Sequence, residues 1–514
     1  MNWFDPGLNM RLRTWFRARN HLPIAGTTMR VDEAPLRAQL FTADEMEQHG
    51  RHLAAGHEPA RRRSRDRLLR RLSDNERVLA ETCALLAQSA GQQRRVTPAG
   101  EWLLDNFHLI EEEVRTARRH LPPGYSRELP CIAGGASAGL PHVYDLALHA
   151  VAHGDGRLGR GSLTRFIASY QTVRTLRLGE LWAVPIMLRL ALIENLRRVA
   201  SRVAASMAER DLAGFWADRM IDVAERDPKS LILVVADMAR SELAMTAPFV
   251  AELSRRLHGR STALALPLTW VEQHLGEIQQ TIEQLVKFEA QAQAAAQVSV
   301  SNSIGSLRLL ASMDWREFVE TLSKVEQVLR DDPADVYPHM AFATRDSYRH
   351  AVERIARHSD AGEAEVAGAA VQLARAAAAQ PQPAAHRSHV GYYLVDAGQA
   401  QLERAVALRA SLAHRIRCTA ARRPLAWFAG AILTTTLLLA LLPLAIASYG
   451  FATPLAALPV GTWVVAVAVA ALLMSASQLA VAIVNWFAPL LVQPRALPRM
   501  DFSVRRSKPA RCCE

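Results

Sequence analysis

The sequence predicts an all-α protein, a cytosolic helical bundle-like region followed by a two-helix transmembrane hairpin. Apolar residues recur at three- and four-residue intervals from about Phe41 to Arg417, the period of an amphipathic helix. Helix start and stop signals punctuate that stretch, and no series of alternating segments reads as strands. Two long uncharged runs follow it.

Residues 1–40 form a basic N-terminal segment. Its opening, "MNWFDPGLNMRLRTWFRARNHLP", lacks the apolar core of a secretory signal and reads either as a basic amphipathic helix on a membrane surface or as a solvated terminal helix. Residues 41–375 are expected to be a cytosolic, all-helical region. Within it the arginine run "ARRRSRDRLLRR", Ala60 to Arg71, has no interleaved aromatics, so a solvated or lipid-facing surface is expected and no nucleic acid partner. In "SDNERVLAETCALLAQSA", Ser73 is placed as N-cap with Glu76 completing a capping box. Thr97 caps the next helix, Pro98 takes its first position, and Pro122-Pro123-Gly124 stops it.

"GELWAVPIMLRLALIENLRRVASRVAASMAERD" is nearly all apolar from Leu181 to Leu188, but Arg189 and Glu194 interrupt it well short of the ~20 residues a span needs. A buried helix of a soluble bundle is expected, with Glu194 and Arg198 placed for an i,i+4 pair. Further helices are read at "WVEQHLGEIQQTIEQLVKFEAQAQ", "SMDWREFVETLSKVEQVLRDDP" and "TRDSYRHAVERIARHS". "AEVAGAAVQLARAAAAQPQPAAHRS" is a helix running into a linker, and residues 376–423 are linker and juxtamembrane helix.

Residues 424–492 carry the hairpin, with spans near 425–448 and 460–482. Leu425 to Ser448 is a run of 24 residues without a charge, and Val460 to Val492 one of 33. The first is worth about 36 Å of helix against a hydrocarbon core of about 30 Å. Arg415, Arg417, Arg422 and Arg423 precede the first span, while Arg495, Arg499, Arg505 and Arg506 follow the second. The positive-inside rule therefore places both flanks, including the basic tail 493–514, in the cytoplasm. The lipid bilayer is the one partner these residues call for directly.

Lys plus Arg number 61 against 50 Asp plus Glu, yet there are only four lysines, Lys229, Lys287, Lys324 and Lys508. Such an arginine excess supports anionic partners in general and lipid headgroups among them. The five cysteines, Cys83, Cys131, Cys418, Cys512 and Cys513, show neither a disulfide framework nor a zinc-module spacing, so reduced thiols are expected.

Residues with chemical potential are few. "HVYDLALHAVAH" sets His142, Asp145, His149 and His153 along one helical stripe, which is how a helix presents metal ligands, but the base of the HExxH motif is missing. Gly135-Ala136-Ser137-Ala138-Gly139 matches G-x-S-x-G formally, while Pro130 and Pro141 bracket it as a loop between helices rather than a strand-to-helix elbow. Asp105, His108 and Glu112 give another acidic-histidine stripe without matching carboxylates elsewhere. The sequence holds no GxxxxGK[ST] loop, no D-x-D and no Q-x-x-R-W. No catalytic, cofactor-binding or metal residue is therefore assigned, and no cofactor is expected in this chain.

Five stretches taken together resemble the bacterial cyclic β-1,2-glucan synthases. They are "EWLLDNFHLIEEEVRTARRHLP" (101–122), "GELWAVPIMLRLALIENLRRVA" (179–200), the segment from "VSVSNSIGSLRLL" to "SYRHAVERIAR" (298–357), "HVGYYLVDAG" (389–398) and "QLAVAIVNWFAPLLVQPRALPRMDFS" (478–503). The resemblance implies a large inner-membrane enzyme that polymerises glucose from UDP-glucose on a protein-bound primer with a divalent metal, trims the chain with a phosphorylase-like domain and cyclises it. It further implies that these stretches are the helical N-terminal part and first membrane hairpin, that the transferase and phosphorylase-like domains are the partners, and that no family catalytic residue maps onto this chain. The alternative is a non-enzymatic inner-membrane scaffold that binds a separate glycosyltransferase or other partner chain. After Ser503 the residues "VRRSKPARCCE" depart from the family, and a truncated or frame-shifted end is expected there.

Overall fold

The structure, a computed structural model, describes residues 23–24, 27–28, 36, 38–58, 60, 67–92, 94–135, 137–241, 243–381, 385–408, 423–450, 462–491 and 500. The helix expected over residues 1–22, arginines 61–63 and 65, juxtamembrane Arg415, Arg417 and Arg422, the tail arginines Arg495, Arg499, Arg505 and Arg506, and Cys418, Cys512 and Cys513 all lie outside the described residues. The architecture is all-α as the periodicity predicts, apart from a two-residue antiparallel pairing of Pro23–Ile24 with Thr27–Thr28. It divides into two units, Met1–Lys324 and Val325–Glu514, a boundary that falls inside the helical region expected over 41–375.

In the first unit the helices run α1 (Ala43–Gly56), α2 (Leu68–Gly91), α3 (Pro98–Asp105), α4 (Phe107–His120), α5 (His142–His153) and α6 (Arg160–Gln171). They are followed by α7 (Leu178–Arg226), α8 (Leu231–Arg240), α9 (Ala247–Leu257), α10 (Ala265–Glu277), α11 (Ile282–Ser312) and α12 (Trp315–Leu322). The 49-residue α7 is the axis, about 74 Å long. Its first half is buried or half-buried throughout, from Leu178 to Ser201, and shares one core with α2 to α6 and α11. A helix buried over most of its circumference must be enclosed by protein or lipid, and here it is enclosed by protein. Its second half contributes Trp216, Ala217 and Met220 to a separate core with Met238, Phe249, Leu253 and Leu275 of α8 to α10.

The polar residues that argue against a membrane span are paired inside this core. Glu194 accepts a bidentate pair from Arg71 at 2.9 and 3.0 Å, Asn75 at 2.8 Å and the expected Arg198 at 2.9 Å. Arg71, read from sequence as part of a solvated or lipid-facing run, is thus a clamp on a buried carboxylate. Arg189 donates to Glu113 at 2.6 Å. Removing one member of such pairs strands a buried charge.

Several helix ends follow local chemistry. Thr97 accepts from the Gly100 amide at 3.3 Å with Pro98 next to it, as predicted. Ser73, however, is not an N-cap. Helix α2 starts upstream at Leu68, because Leu68 and Leu72 belong to the same buried stripe as Leu79, and packing overrides the capping signal. Helices read as single pieces also divide. Asn106 ends α3 by donating its side-chain amide to the Trp102 carbonyl at 2.9 Å, a competition with the backbone that favours breaks. Between α10 and α11, Gln279 takes φ 55° and Thr281 forms a reciprocal box with Gln284, at 3.1 and 3.2 Å.

The second unit holds α13 (Lys324–Leu329, beginning at the boundary), α14 (Phe342–Ala356), α15 (Glu363–Ala378), α16 (Val390–Val395) and α17 (Gln399–Ala405). They bury Leu329, Tyr348, Val352, Ala370, Tyr393 and Leu402 together. The fully buried Arg349 donates to Glu326 at 2.6 Å, and Asp332 accepts from His389 at 2.7 Å and from the Val390 amide at 3.0 Å. Beyond them α18 (Pro424–Gly450) and α19 (Thr462–Leu491) pack on each other. Both are long and apolar enough to cross a membrane, with only 6% and 11% of their apolar windows buried. Leu433, Leu438, Leu441, Trp463, Val467 and Trp486 are exposed. Such surface suits hydrocarbon rather than water.

Candidate functional site

A dense group of titratable side chains is built on α5. Its sequence places His142, Asp145, His149 and His153 at spacings of three, four and four residues, so all four share a face one turn apart. That face meets α1, which adds His49, and the residue capping α1, His57. Helix α1 in turn lies close on α6. A Cβ on Gly50 would come within 3.0 Å of the Phe166 carbonyl, so glycine is needed for the approach.

An inner group is buried. His57 Nε2 stands 3.0 Å from Asp145 Oδ2, and His57 Nδ1 stands 2.9 Å from the Tyr170 hydroxyl. A carboxylate only accepts, which assigns the proton to Nε2 and lets Tyr170 donate to Nδ1. Ser137 donates to Asp145 Oδ1. His142 stacks on His57 with ring centroids 5.1 Å apart, and its Nδ1 lies 3.9 Å from Glu180. Burial raises the Asp145 carboxyl, but the hydrogen bonds from His57 and Ser137 outweigh it and hold the group below its usual value. Burial, with His57 alongside, lowers His142 to about 4.

An outer, half-exposed group sits one turn along. His49 Nε2 is 3.0 Å from His149 Nδ1, and one nitrogen each of His49, His149 and His153 lie within 4.8 Å of one another. His149 Nε2 faces Asp145 Oδ2 at 3.5 Å, and His153 Nδ1 donates to the Gln39 carbonyl at 2.8 Å. Phe41 stacks flat on His153 at 3.9 Å. Burial, then the neighbouring His149 and His153, lowers His49 to about 4, and burial lowers His149. The three rings are the residues here able to hold a metal.

In a match 496 residues long that covers 94% of its length, the chain is 31% identical to the cyclic β-(1,2)-glucan synthase NdvB of Rhizobium meliloti (strain 1021). The chain is thus similar to a part of a cyclic β-(1,2)-glucan synthase. This agrees with the family resemblance read from the five stretches. The matched region amounts to 17% of that relative's own length. No protein-family model matches the chain.

The residues singled out from sequence fare differently. His142, Asp145, His149 and His153 come together, although His142 turns inward to His57 and only the other two histidines meet His49. Ser137 lies in the loop before α5 rather than at a strand-to-helix elbow, and its hydroxyl donates to the Asp145 carboxylate. Asp105, His108 and Glu112 are all exposed and fall on two helices separated at Asn106. Sequence reading missed His49 and His57, which lie about 100 residues from their partners; the only signal was the histidine content of "HGRHLAAGH" itself.

A cavity of about 590 Å³ lies elsewhere, between α3, α7, α9 and α11. Val199, Val203, Ala292 and Ala296 form its walls, and Arg210 with Glu289, 3.8 Å apart, its polar edge.

Proposed function

We propose that this chain is the membrane-anchoring, helical part of a cyclic β-(1,2)-glucan synthase and transfers no glucose by itself. The observation that carries the reading is the 31% identity sustained over 94% of the chain. It is supported by the absence of a D-x-D from the sequence, since a nucleotide-sugar transferase needs such carboxylates for its metal and diphosphate. The chain sits in a bacterial inner membrane as a hairpin of α18 and α19, its arginine-rich flanks on the cytoplasmic side. UDP-glucose and a divalent metal belong to the transferase domain of the complete enzyme, and that domain with the phosphorylase-like domain is the partner of these helices.

Co-expression tests this. The chain is produced with a synthase from which the matching region has been deleted, and β-1,2-glucan is measured. Restored synthesis with co-purification of the two polypeptides is expected. If the deleted synthase makes glucan at full rate without the chain, the helical part has no role in synthesis and the proposal fails.

A further inference from the structure

We propose that His49, His149 and His153 form a three-histidine site for a borderline divalent transition metal, zinc above all, with one coordination position left to water.

The ligand set is assembled by the fold. His149 and His153 are one turn apart on α5, the i,i+4 spacing by which a helix offers two imidazoles to one ion, and α1 brings His49 opposite. Zinc–nitrogen bonds of about 2.0–2.1 Å in a tetrahedron put ligand nitrogens about 3.4 Å apart. His49 Nε2 and His149 Nδ1 are 3.0 Å apart already, and the 4.8 Å limit on the group leaves only side-chain adjustment for the third.

The surroundings of the rings carry the argument further. A metal-bound histidine usually has its other nitrogen turned to a carboxylate or a carbonyl, which fixes the tautomer and aims the lone pair. Two of the three rings have this second contact. His149 turns Nε2 toward Asp145, so Nδ1 carries its lone pair toward His49. His153 gives its Nδ1 proton to the Gln39 carbonyl, leaving Nε2 as the ligand atom. Asp145 is itself held by His57 and Ser137, so the orienting carboxylate is fixed in place. Phe41 packed on His153 limits that ring's motion.

The donor set selects the metal class. Calcium and magnesium want oxygen ligands, and this group offers nitrogen only. Non-haem iron sites of the facial kind need a carboxylate on the metal, but Asp145 faces the far nitrogen of His149. Three neutral imidazoles and an open position suit zinc, with cobalt(II) as its spectroscopic stand-in. Bound there, the ion would tie α1 to α5 and hold an exchangeable water.

The test uses the full chain in detergent, with any polyhistidine tag removed and the protein freed of metal by chelation. Zinc chloride is titrated calorimetrically and cobalt(II) by visible absorption. One equivalent of zinc with a Kd below about 1 µM, and intense four-coordinate cobalt bands, are expected. His49→Gln and His153→Gln keep side-chain bulk and are each expected to weaken zinc by about 100-fold or more at unchanged helical circular dichroism, and Asp145→Asn by about 10-fold through ring orientation. His52→Ala, an exposed histidine of the same helix, should bind as the parent does. No saturable zinc binding by the parent chain, or equal binding by the His49→Gln, His153→Gln double variant, overturns the proposal.

Discussion

His57 and Asp145 are 88 residues apart in the chain and 3.0 Å apart in the fold, joined by Nε2 and Oδ2 in a buried contact that closes α1 onto α5. The carboxylate takes a second hydrogen bond from Ser137 and faces His149 with the same Oδ2. One aspartate therefore anchors a loop, a helix cap and a histidine cluster.

Substituting Asp145 by asparagine removes the charge from this network while keeping its size. Weakening the His57 and Ser137 hydrogen bonds to a buried charged acceptor costs on the order of 2 kcal/mol. Urea unfolding of the detergent-solubilised chain, followed by helical circular dichroism, should show an earlier transition for the variant. A midpoint unchanged from the parent would mean that the contact contributes nothing to α1 docking.

Glu194 predicts a pH dependence. Burial works to raise its carboxyl, but Arg71, with Arg197 and Arg198, brings it from its ordinary value of 4.5 down to about 2. A carboxyl depressed on folding stabilises the folded state fully above its unfolded value and loses that contribution as pH falls through the folded one. The parent chain should therefore lose about 3 kcal/mol between pH 5 and pH 2 that the Glu194→Gln variant does not lose. Parallel acid titrations by circular dichroism check it.

Gly156 is a backbone requirement. It takes φ 77°, and a Cβ there would collide with the Ser303 hydroxyl and lie 3.2 Å from the Ser299 carbonyl of α11. Ser306 completes the seat by donating to the Gly156 carbonyl at 2.7 Å. Gly156→Ala should cost about 2 kcal/mol from the left-handed backbone alone, with the collision adding to it. Faster amide exchange in the middle of α11 would be the local signature.

The exposed leucines of α18 predict a topological effect. Leu433 and Leu437 are 61% and 46% exposed, which fits a lipid-facing surface. Arginine at both positions costs about 3 kcal/mol each at the centre of a span. A reporter fused to the C-terminus should then change sides of the membrane, because only α19 inserts, while the double alanine variant should not change it.

How legible this was in the sequence depends on the range of the interaction. The Thr97 cap with Pro98 is local and its residue types announce it, while the Thr281 and Gln284 box, just as local, lies inside a stretch read as one unbroken helix. The pairing of Glu194 with Arg198 follows from helical spacing. Ser73 misled because its capping signal is worth less than burial of Leu68 and Leu72. The histidine stripe of α5 was visible as a stripe, but its chemistry depends on which helix covers it. Nothing in residues 142–153 says that His49 and His57 do, since that is set by close packing at Gly50 rather than by any motif. The long apolar helices read clearly, and Arg189 and Glu194 were enough to separate α7 from them.

The central claim is that this chain anchors and supports a glucan synthase without transferring sugar. Membranes containing this chain and no other synthase polypeptide are incubated with radiolabelled UDP-glucose and a divalent metal, and glucose incorporation into acid-precipitable protein and soluble glucan is counted. Incorporation no higher than in membranes lacking the chain is the predicted result. Glucan made by this chain alone, abolished when the chain is withdrawn, would contradict the account.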